Sequence, residues 1–416
     1  MSSSIRLKLE EDKLPLTYIN EQELYNFITS KESSQIGTVY EWEGEQVFHI
    51  RFVPEIHSFG KQHTILITKE SYQNNESETI NADFVLYVGK SLNDCHLFLR
   101  NSYGNRELFL SIIPSKDNLY NNDKGILEVG ILESKRVLII GLGSFGSQIA
   151  IELAKAGVGH FSLIDFDRVE PHNLSRHTCT VNELGRLKTD ALYDAIKGKN
   201  PYATIDKYPV NINNNLKLLY DEVKKADIVI CATDNNRSRF NITTALLENK
   251  TVGIYGRAVT RAEGGDVFRY RPGGPCYCCL VGSKAYKTLG KEEITNEGSA
   301  RKEGRIAPYT LPEDADAMVQ IGLSADIQPM CNMMVKLALI ELSKGQESGI
   351  SCLEEELVWD CYLWANRRER YRKNWSPMAN NPNGGATIMR WYGLKLEKNC
   401  HCPICGEDDI TLDTGD

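Results

Sequence analysis

No apolar run in this 416-residue chain is long enough to cross a bilayer, and Met1–Asp12 is polar and charged, with no signal-peptide core. A cytoplasmic location is the expectation. Positive charge is not in excess either. The net charge is −8, which gives no basis for broad binding to nucleic acid or to an acidic membrane surface. Internal repeats are absent. His57, His63 and Cys95 share no spacing that suits a hydrolase or a metal site, and they read as ordinary surface or core residues. Cysteine, by contrast, is abundant. Twelve in a chain without a secretory signal point to metal ligands, buried thiols or reactive thiols rather than to disulfides. The length suggests two or three domains, and a composition of 41% hydrophobic and 25% charged residues suits a globular protein.

The stretch Arg136–Glu170 organises the rest. Val137–Ile140 is a short apolar run that suits a buried parallel strand. Gly141, Gly143 and Gly146 follow as G-x-G-x-x-G. The first two allow a tight turn and a close backbone approach to a ligand, and the third lets the next helix pack closely. Ser147–Ala156 predicts a helix with Gly157 as its stop, and Phe161–Ile164 predicts a second strand ending in Asp165. A carboxylate there, roughly 20 residues past the glycines, suits ribose hydroxyls. A glycine-rich structural turn is the bland alternative, but the ordered strand, loop, helix, strand and acid favour a nucleotide site.

Residues 1–100 read as an α+β unit, with a helix at Glu21–Thr29 and strands at Gly37–Trp42, Val47–Phe52, Thr64–Thr68, Phe84–Val88 and His96–Leu99. Its role is a partner-binding one at most. Residues 101–133 read as a polar connector, and 134–416 as the nucleotide-binding domain. Further alternation there (helix Arg186–Lys197, strand Asp227–Cys231, helix Ser238–Glu248, strand Thr251–Tyr255) predicts an α/β, doubly wound, mostly parallel Rossmann-like sheet. Residues 283–316 read as a long loop, Cys331–Leu342 as an apolar helix, Glu354–Arg372 as an amphipathic segment and Asn374–Gly385 as a linker.

Two clusters carry further chemistry. Cys276 and Cys279 form one C-x-x-C pair, and Cys402 and Cys405 another. Four thiolates close a tetrahedral zinc shell with no open position, so the predicted zinc is structural and pins the C-terminal segment back onto the domain. Buried free cysteines are the alternative, and Cys278 and Cys400 fall out of phase. The segment Asp165–Lys188 concentrates acids (Asp165, Asp167), Asn173, Arg176 and Lys188, the mixture that a nucleoside triphosphate needs. Asp234 ends a buried strand. It is placed to reach a metal or phosphate, or else to cap the following helix.

In their order along the chain, GLGSFG, GVGHFSLIDFDRVEPHNLSRH, Lys188, ATDNN, PCYCC and CPIC resemble the ThiF and ubiquitin-activating-enzyme superfamily of adenylating enzymes. The likeness covers roughly Arg106 to Gly345 plus the C-terminal cysteine pair. It implies that Gly141, Gly143 and Gly146 line an ATP loop and that Asp165 and Asp167 serve the nucleotide. Asn173, Arg176 and Lys188 would contact the triphosphate, and Asp234 would place Mg²⁺. Tyr103-Gly104-Asn105-Arg106 resembles the family's arginine motif, in which the arginine reaches a partner protomer's site, and so implies a homodimer. The family's crossover loop corresponds to 283–316. No cysteine lies between Val281 and Met330, where family members often carry a thioester cysteine. Cys179, in the phosphate-proximal loop, is then the exposed candidate, while Cys331 reads as packed.

The resemblance implies ATP-dependent adenylation of the C-terminal carboxylate of a ubiquitin-like protein ending in glycine, with thioester transfer and a conjugating-enzyme partner as further steps. Sulfur-carrier activation, or adenylation of a peptide or tRNA nucleoside, are alternatives within the class. A dinucleotide-binding dehydrogenase and a non-catalytic scaffold subunit are alternatives outside it. No membrane or nucleic-acid partner is expected.

Overall fold

The structure, a computed structural model, describes residues 15–42, 47–52, 61–70, 82–101, 104–112, 119–258, 262–283, 322–366 and 388–406. His57, Tyr103, nearly all of the long loop 283–316 and the linker Asn374–Gly385 lie outside these. The chain divides into two compact units, Met1–Asn122 and Asp123–Asp416. No helix among the described residues is long and apolar enough to cross a membrane.

The first unit is built on a mixed eight-stranded sheet. Its strands are β1 (Leu16–Ile19), β2 (Ser34–Trp42), β3 (Val47–Arg51), β4 (Lys61–Thr68), β5 (Phe84–Val88), β6 (Cys95–Asn101), β7 (Gly104–Leu108) and β8 (Leu110–Ile112). They are ordered β7-β6-β5-β4-β2-β3-β1-β8. Helix α1 (Glu21–Thr29) starts where the Asn20 side chain accepts the N–H groups of Gln22 and Glu23. It buries Leu24 and Phe27 against Ile19, Val39, Ile50 and Ile65. The predicted connector 101–133 is corrected here, since β7 and β8 are the two edge strands of this sheet. Polar residues at Asn105, Arg106 and Glu107 concealed β7 because an edge strand tolerates them on its open side.

The second unit carries β9 (Arg136–Ile140), β10 (His160–Ile164), β11 (Thr204–Tyr208), β12 (Ile228–Cys231), β13 (Val252–Ala258), β14 (Gly264–Tyr270), β15 (Cys361–Ala365) and β16 (Arg390–Leu394). Their order is β11-β10-β9-β12-β13-β14-β15-β16. The first five are parallel and run 3-2-1-4-5 in chain order, and the last three pair antiparallel. The short helix α2 (Val129–Glu133) leads into β9, and helices cover both faces. Val137 and Ile139 pack towards α3 (Gly146–Lys155), α4 (Lys188–Lys197) and the long helix Ser324–Leu342. Leu138 and Ile140 pack towards α5 (Leu216–Lys225) and α6 (Asn236–Asn249). A parallel strand buried on both faces explains the unbroken apolar run at β9. Gly157 takes φ +93° just after α3, the left-handed stop its position predicts.

The amphipathic segment Glu354–Arg372 begins in the short helix Ser351–Glu356 and continues as the strand Cys361–Ala365 between β14 and β16, and its residues 367–372 lie outside the described residues. Its aromatics serve the sheet, with Trp364 and Trp391 packed at a centroid distance of 5.2 Å.

Candidate active site

Order reversal between β9 and β12 opens a crevice at their carboxyl ends, where ligands of doubly wound sheets bind. A cavity of about 690 Å³ occupies this place, within the range of roughly 300–1,000 Å³ usual for ligand sites. Gly141 leaves β9 at φ +88°, and a Cβ there would lie 2.7 Å from the Ala232 carbonyl oxygen just past β12. Gly143 lines the cavity, and a Cβ on it would meet nothing within 4 Å among the described residues. That open ground suits the close approach of a phosphate to backbone N–H groups at the start of α3. Gly146 is the close-packing glycine that its place in the pattern predicts, since a Cβ there would collide with the Gly141 carbonyl; it does not line the cavity, which corrects the lining role implied by the resemblance.

Asp165 directly follows β10 and is buried where it lines the cavity. Its Oδ2 accepts the Leu142 N–H at 2.6 Å and its Oδ1 accepts the Asp167 N–H at 2.8 Å. Burial pushes this carboxyl up, while Lys188 and the two N–H groups pull it down. Asp165 therefore shapes the glycine loop as well as facing the cavity, a role the sequence did not suggest. Lys188 is 7% exposed at the first position of α4, and its Nζ lies 2.8 Å from Asp167 Oδ2. Asn173, Arg176, Lys188 and Asp234 all line the same cavity. The Asn173 side chain accepts the Glu170 N–H, which orders the turn that presents it. Burial lowers Arg176 from its ordinary value.

The N-cap of α6 is Asn235, which accepts the Ser238 N–H at 2.9 Å. Asp234 is thereby spared the capping role and stands exposed on the cavity wall. Two cavity arginines were missed by sequence reasoning. Arg239 on α6 donates to the Thr233 carbonyl at 2.6 Å, and its buried Nε has no hydrogen-bond partner among the described residues. Arg257 on β13 is bound in a fork to Asp266, with its closest contact at 2.7 Å. Both guanidinium groups lie over the Tyr277 ring, at 5.9 and 5.8 Å. The only sequence signal for them was their position near the carboxyl ends of parallel strands, Arg257 within β13 and Arg239 in the helix after β12. Arg106 is exposed on edge strand β7 of the first unit.

The four predicted zinc thiols converge. All their sulfurs lie within 4.8 Å of one another, with Cys276–Cys402 at 3.6 Å and Cys279–Cys405 at 3.4 Å. A tetrahedral ion with zinc–sulfur bonds of about 2.3 Å sets its sulfurs about 3.8 Å apart, so the quartet fits zinc. Cys278 is buried outside the quartet, and Cys400 is exposed. Cys179 is corrected. It is buried beside Val169 and Ala191, and burial pushes its thiol up to about 12. A nucleophile needs the reverse, access and a lowered pKa. Cys331 is packed, as expected, with its thiol also pushed up to about 12.

A glycine loop between strand and helix, an acid at the next strand end and cations gathered over the carboxyl ends define an α/β nucleotide-site protein. The chain belongs to the ThiF family, whose model matches residues 124–347, more than half of it. Arg106 lies outside that match. Among curated relatives, the molybdopterin-synthase adenylyltransferase of Escherichia coli (strain K12) is 37% identical over 151 residues, covering 36% of this chain and 59% of that protein. Ubiquitin-like modifier-activating enzyme 5 of Bombyx mori is 26% identical over 226 residues, covering 49% and 58%. The chain spans between 32% and 59% of the length of the curated relatives it matches. A solved structure of E. coli MccB with ATP aligns at 17% identity and a TM-score of 0.46, over 67% of this chain and 68% of that one.

Proposed function

We propose that the protein is an ATP-dependent adenylyltransferase that activates the C-terminal carboxylate of a small protein. The observation that carries this reading is a single cavity in which Asn173, Arg176, Lys188, Arg239 and Asp234 surround the glycine loop. Hydride transfer on a dinucleotide has no need of so many cations, whereas displacement at a triphosphate does. In the proposed step a carboxylate oxygen attacks the α-phosphorus of ATP. The bond from that phosphorus to the bridging oxygen breaks, and its electron pair leaves with pyrophosphate, giving an acyl-adenylate.

Each residue has a part that follows from its place. The N–H groups that follow Gly143, at the start of α3, approach phosphate oxygens. Asn173, Arg176 and Lys188 hold the triphosphate and meet the charge that develops on the leaving group. Asp165 offers its remaining lone pairs to the ribose. Asp234 is the carboxylate for Mg²⁺, which when bound neutralises phosphate charge. The cysteine quartet holds a zinc with no open coordination position, a structural tie between the 276–279 turn and the C-terminal segment.

The names of the relatives support a sulfur-carrier or ubiquitin-like protein as the substrate. The assignment of Arg106 to a partner protomer's site, and with it a homodimer, belongs to the same proposal. Transfer to Cys179 does not, because that thiol is buried. ATP–pyrophosphate exchange with small proteins ending in glycine tests the reading. Exchange that depends on the added protein supports it. Tight ATP binding with no exchange for any such protein would move the substrate to a peptide or a nucleoside, and no ATP binding would end the proposal.

A further inference from the structure

We propose that His177 is a positioning residue for the nucleotide. It joins the glycine loop at Leu142 to the segment bearing Asn173 and Arg176, and it does so as the neutral imidazole, a role that rests on the nucleotide reading above.

A loop with glycines at 141, 143 and 146 is intrinsically loose, and its shape must be set by bonds from outside. Leu142, the one non-glycine between the first two, has both backbone polar groups held by side chains. Its N–H donates to Asp165 Oδ2 at 2.6 Å. Its carbonyl oxygen lies 2.6 Å from His177 Nε2. The other ring nitrogen, Nδ1, lies 3.0 Å from the Cys179 nitrogen, whose N–H donates to it. A carbonyl only accepts and a backbone N–H only donates, so these two bonds admit one tautomer, with the proton on Nε2 and a lone pair on Nδ1. The ring thus bolts the loop to the turn that follows Asn173 and Arg176, and both sides of the bolt line the cavity.

Protonation of Nδ1 would set two N–H donors face to face and break the Cys179 bond. The charged groups around the ring are Lys188 from α4, Glu183 from the turn Val181–Glu183, Asp165 across the Leu142 peptide and Arg176 on the same segment. From α3 the neighbour is the uncharged Gln148, which donates to the Arg176 carbonyl. The Cys179 thiol is neutral, because burial pushes it up to about 12. Burial holds the imidazole below its usual range. Lys188 also opposes protonation, whereas Glu183 and the Leu142 carbonyl favour it. With the folded-state value lowered, the ordered loop keeps its full stability above the ordinary histidine range and loses it as pH falls through that range.

Two variants test this. In His177→Gln the amide nitrogen replaces Nε2 as donor to Leu142, the amide oxygen is available to the Cys179 N–H, and nothing titrates. His177→Leu removes both bonds. ATP affinity is measured by calorimetry from pH 5.5 to 8 for each variant and for the native chain. Titration of ATP itself acts equally on all three. The native chain is expected to lose affinity on the acid side, and His177→Gln to match it at pH 7.5 with a flatter profile. His177→Leu should be weaker at every pH on the order of tenfold, the size of one lost buried hydrogen bond. Leucine binding within twofold of native, or a glutamine profile that parallels the native one, would overturn the proposal. Amide hydrogen exchange of the ligand-free loop at one pH gives a readout independent of ATP. Faster exchange at residues 141–146 in His177→Leu, restored in His177→Gln, is expected, and unchanged exchange overturns the role. Failure of the native chain to bind ATP would overturn the nucleotide reading instead, with the exchange result still deciding the loop role.

Discussion

Lys188 Nζ sits 2.8 Å from Asp167 Oδ2, at the first residue of helix α4. A cation at a helix N-terminus faces the positive end of the helix dipole, so this placement is unfavourable on local grounds. Asp167 offsets it only in part, since its own side chain is half exposed. Such an arrangement suits a site that receives a second anion. Lys188→Met should lower ATP–pyrophosphate exchange by roughly 10²–10³-fold, the range found when one donor to a developing charge is removed. Its thermal midpoint should stay or rise, because the dipole conflict disappears and Asp167 remains solvated. Asp167→Asn should do the opposite to stability, as it leaves a buried ammonium without its carboxylate. Equal destabilisation by the two changes would contradict this reading.

Asp234 and Asn235 are neighbours with separate duties. Asn235→Ala should cost about 1 kcal/mol in stability through loss of the α6 cap. Asp234→Ala leaves the cap bond in place and should abolish exchange with the unfolding curve unchanged. Retained exchange in Asp234→Ala would remove its assignment to the metal and phosphates.

Much of the second unit was legible because its signals are local. The run at Val137–Ile140, the glycines and the acid at 165 each state their own geometry, and the parallel core followed from them. Strand β14 was illegible for the opposite reason. Asp266 and Arg269 are buried in it, and their partners come from other segments, Arg257 for the first and Glu341 with the Leu357 and Trp359 carbonyls for the second. No neighbour in sequence announces such a partner. Arg239 and Arg257 escaped notice in the same way, since their cavity positions depend on how three strands are ordered. Cys179 misled because a polar loop sequence does not reveal that Val169 and Ala191 fold over it.

The buried state of Cys179 has a direct chemical reading. With its thiol pushed up to about 12, the thiolate is scarce at pH 8. Cys352 and Cys400 are the exposed thiols. Iodoacetamide at pH 8 should label Cys352 and Cys400 on the folded protein and spare Cys179 until denaturant is added, as peptide mass mapping would reveal. Rapid labelling of Cys179 in the native chain would restore it as a nucleophile candidate.

Tyr277 lies between the cysteine quartet and the nucleotide cavity. It follows Cys276, stacks on Tyr255 at 5.0 Å, donates to Asn236 Oδ1 at 3.1 Å and carries both cavity arginines over its ring. Loss of metal should therefore reach the cavity. If the quartet holds the proposed zinc, changing Cys402 and Cys405 to Ser should release it, lower the thermal midpoint and weaken ATP binding together. Tyr277→Phe removes only the hydroxyl, which accepts from Arg239 at 3.4 Å and donates to Asn236 at 3.1 Å. It should keep its zinc and most of its stability while ATP affinity falls by a few fold, the size of one weak hydrogen bond. Zinc assay and calorimetry on the same preparations separate the two effects. Full zinc retention in the double serine variant would remove the four-cysteine site. Unchanged affinity in Tyr277→Phe would leave the ring, rather than the hydroxyl, as the element that places the arginines.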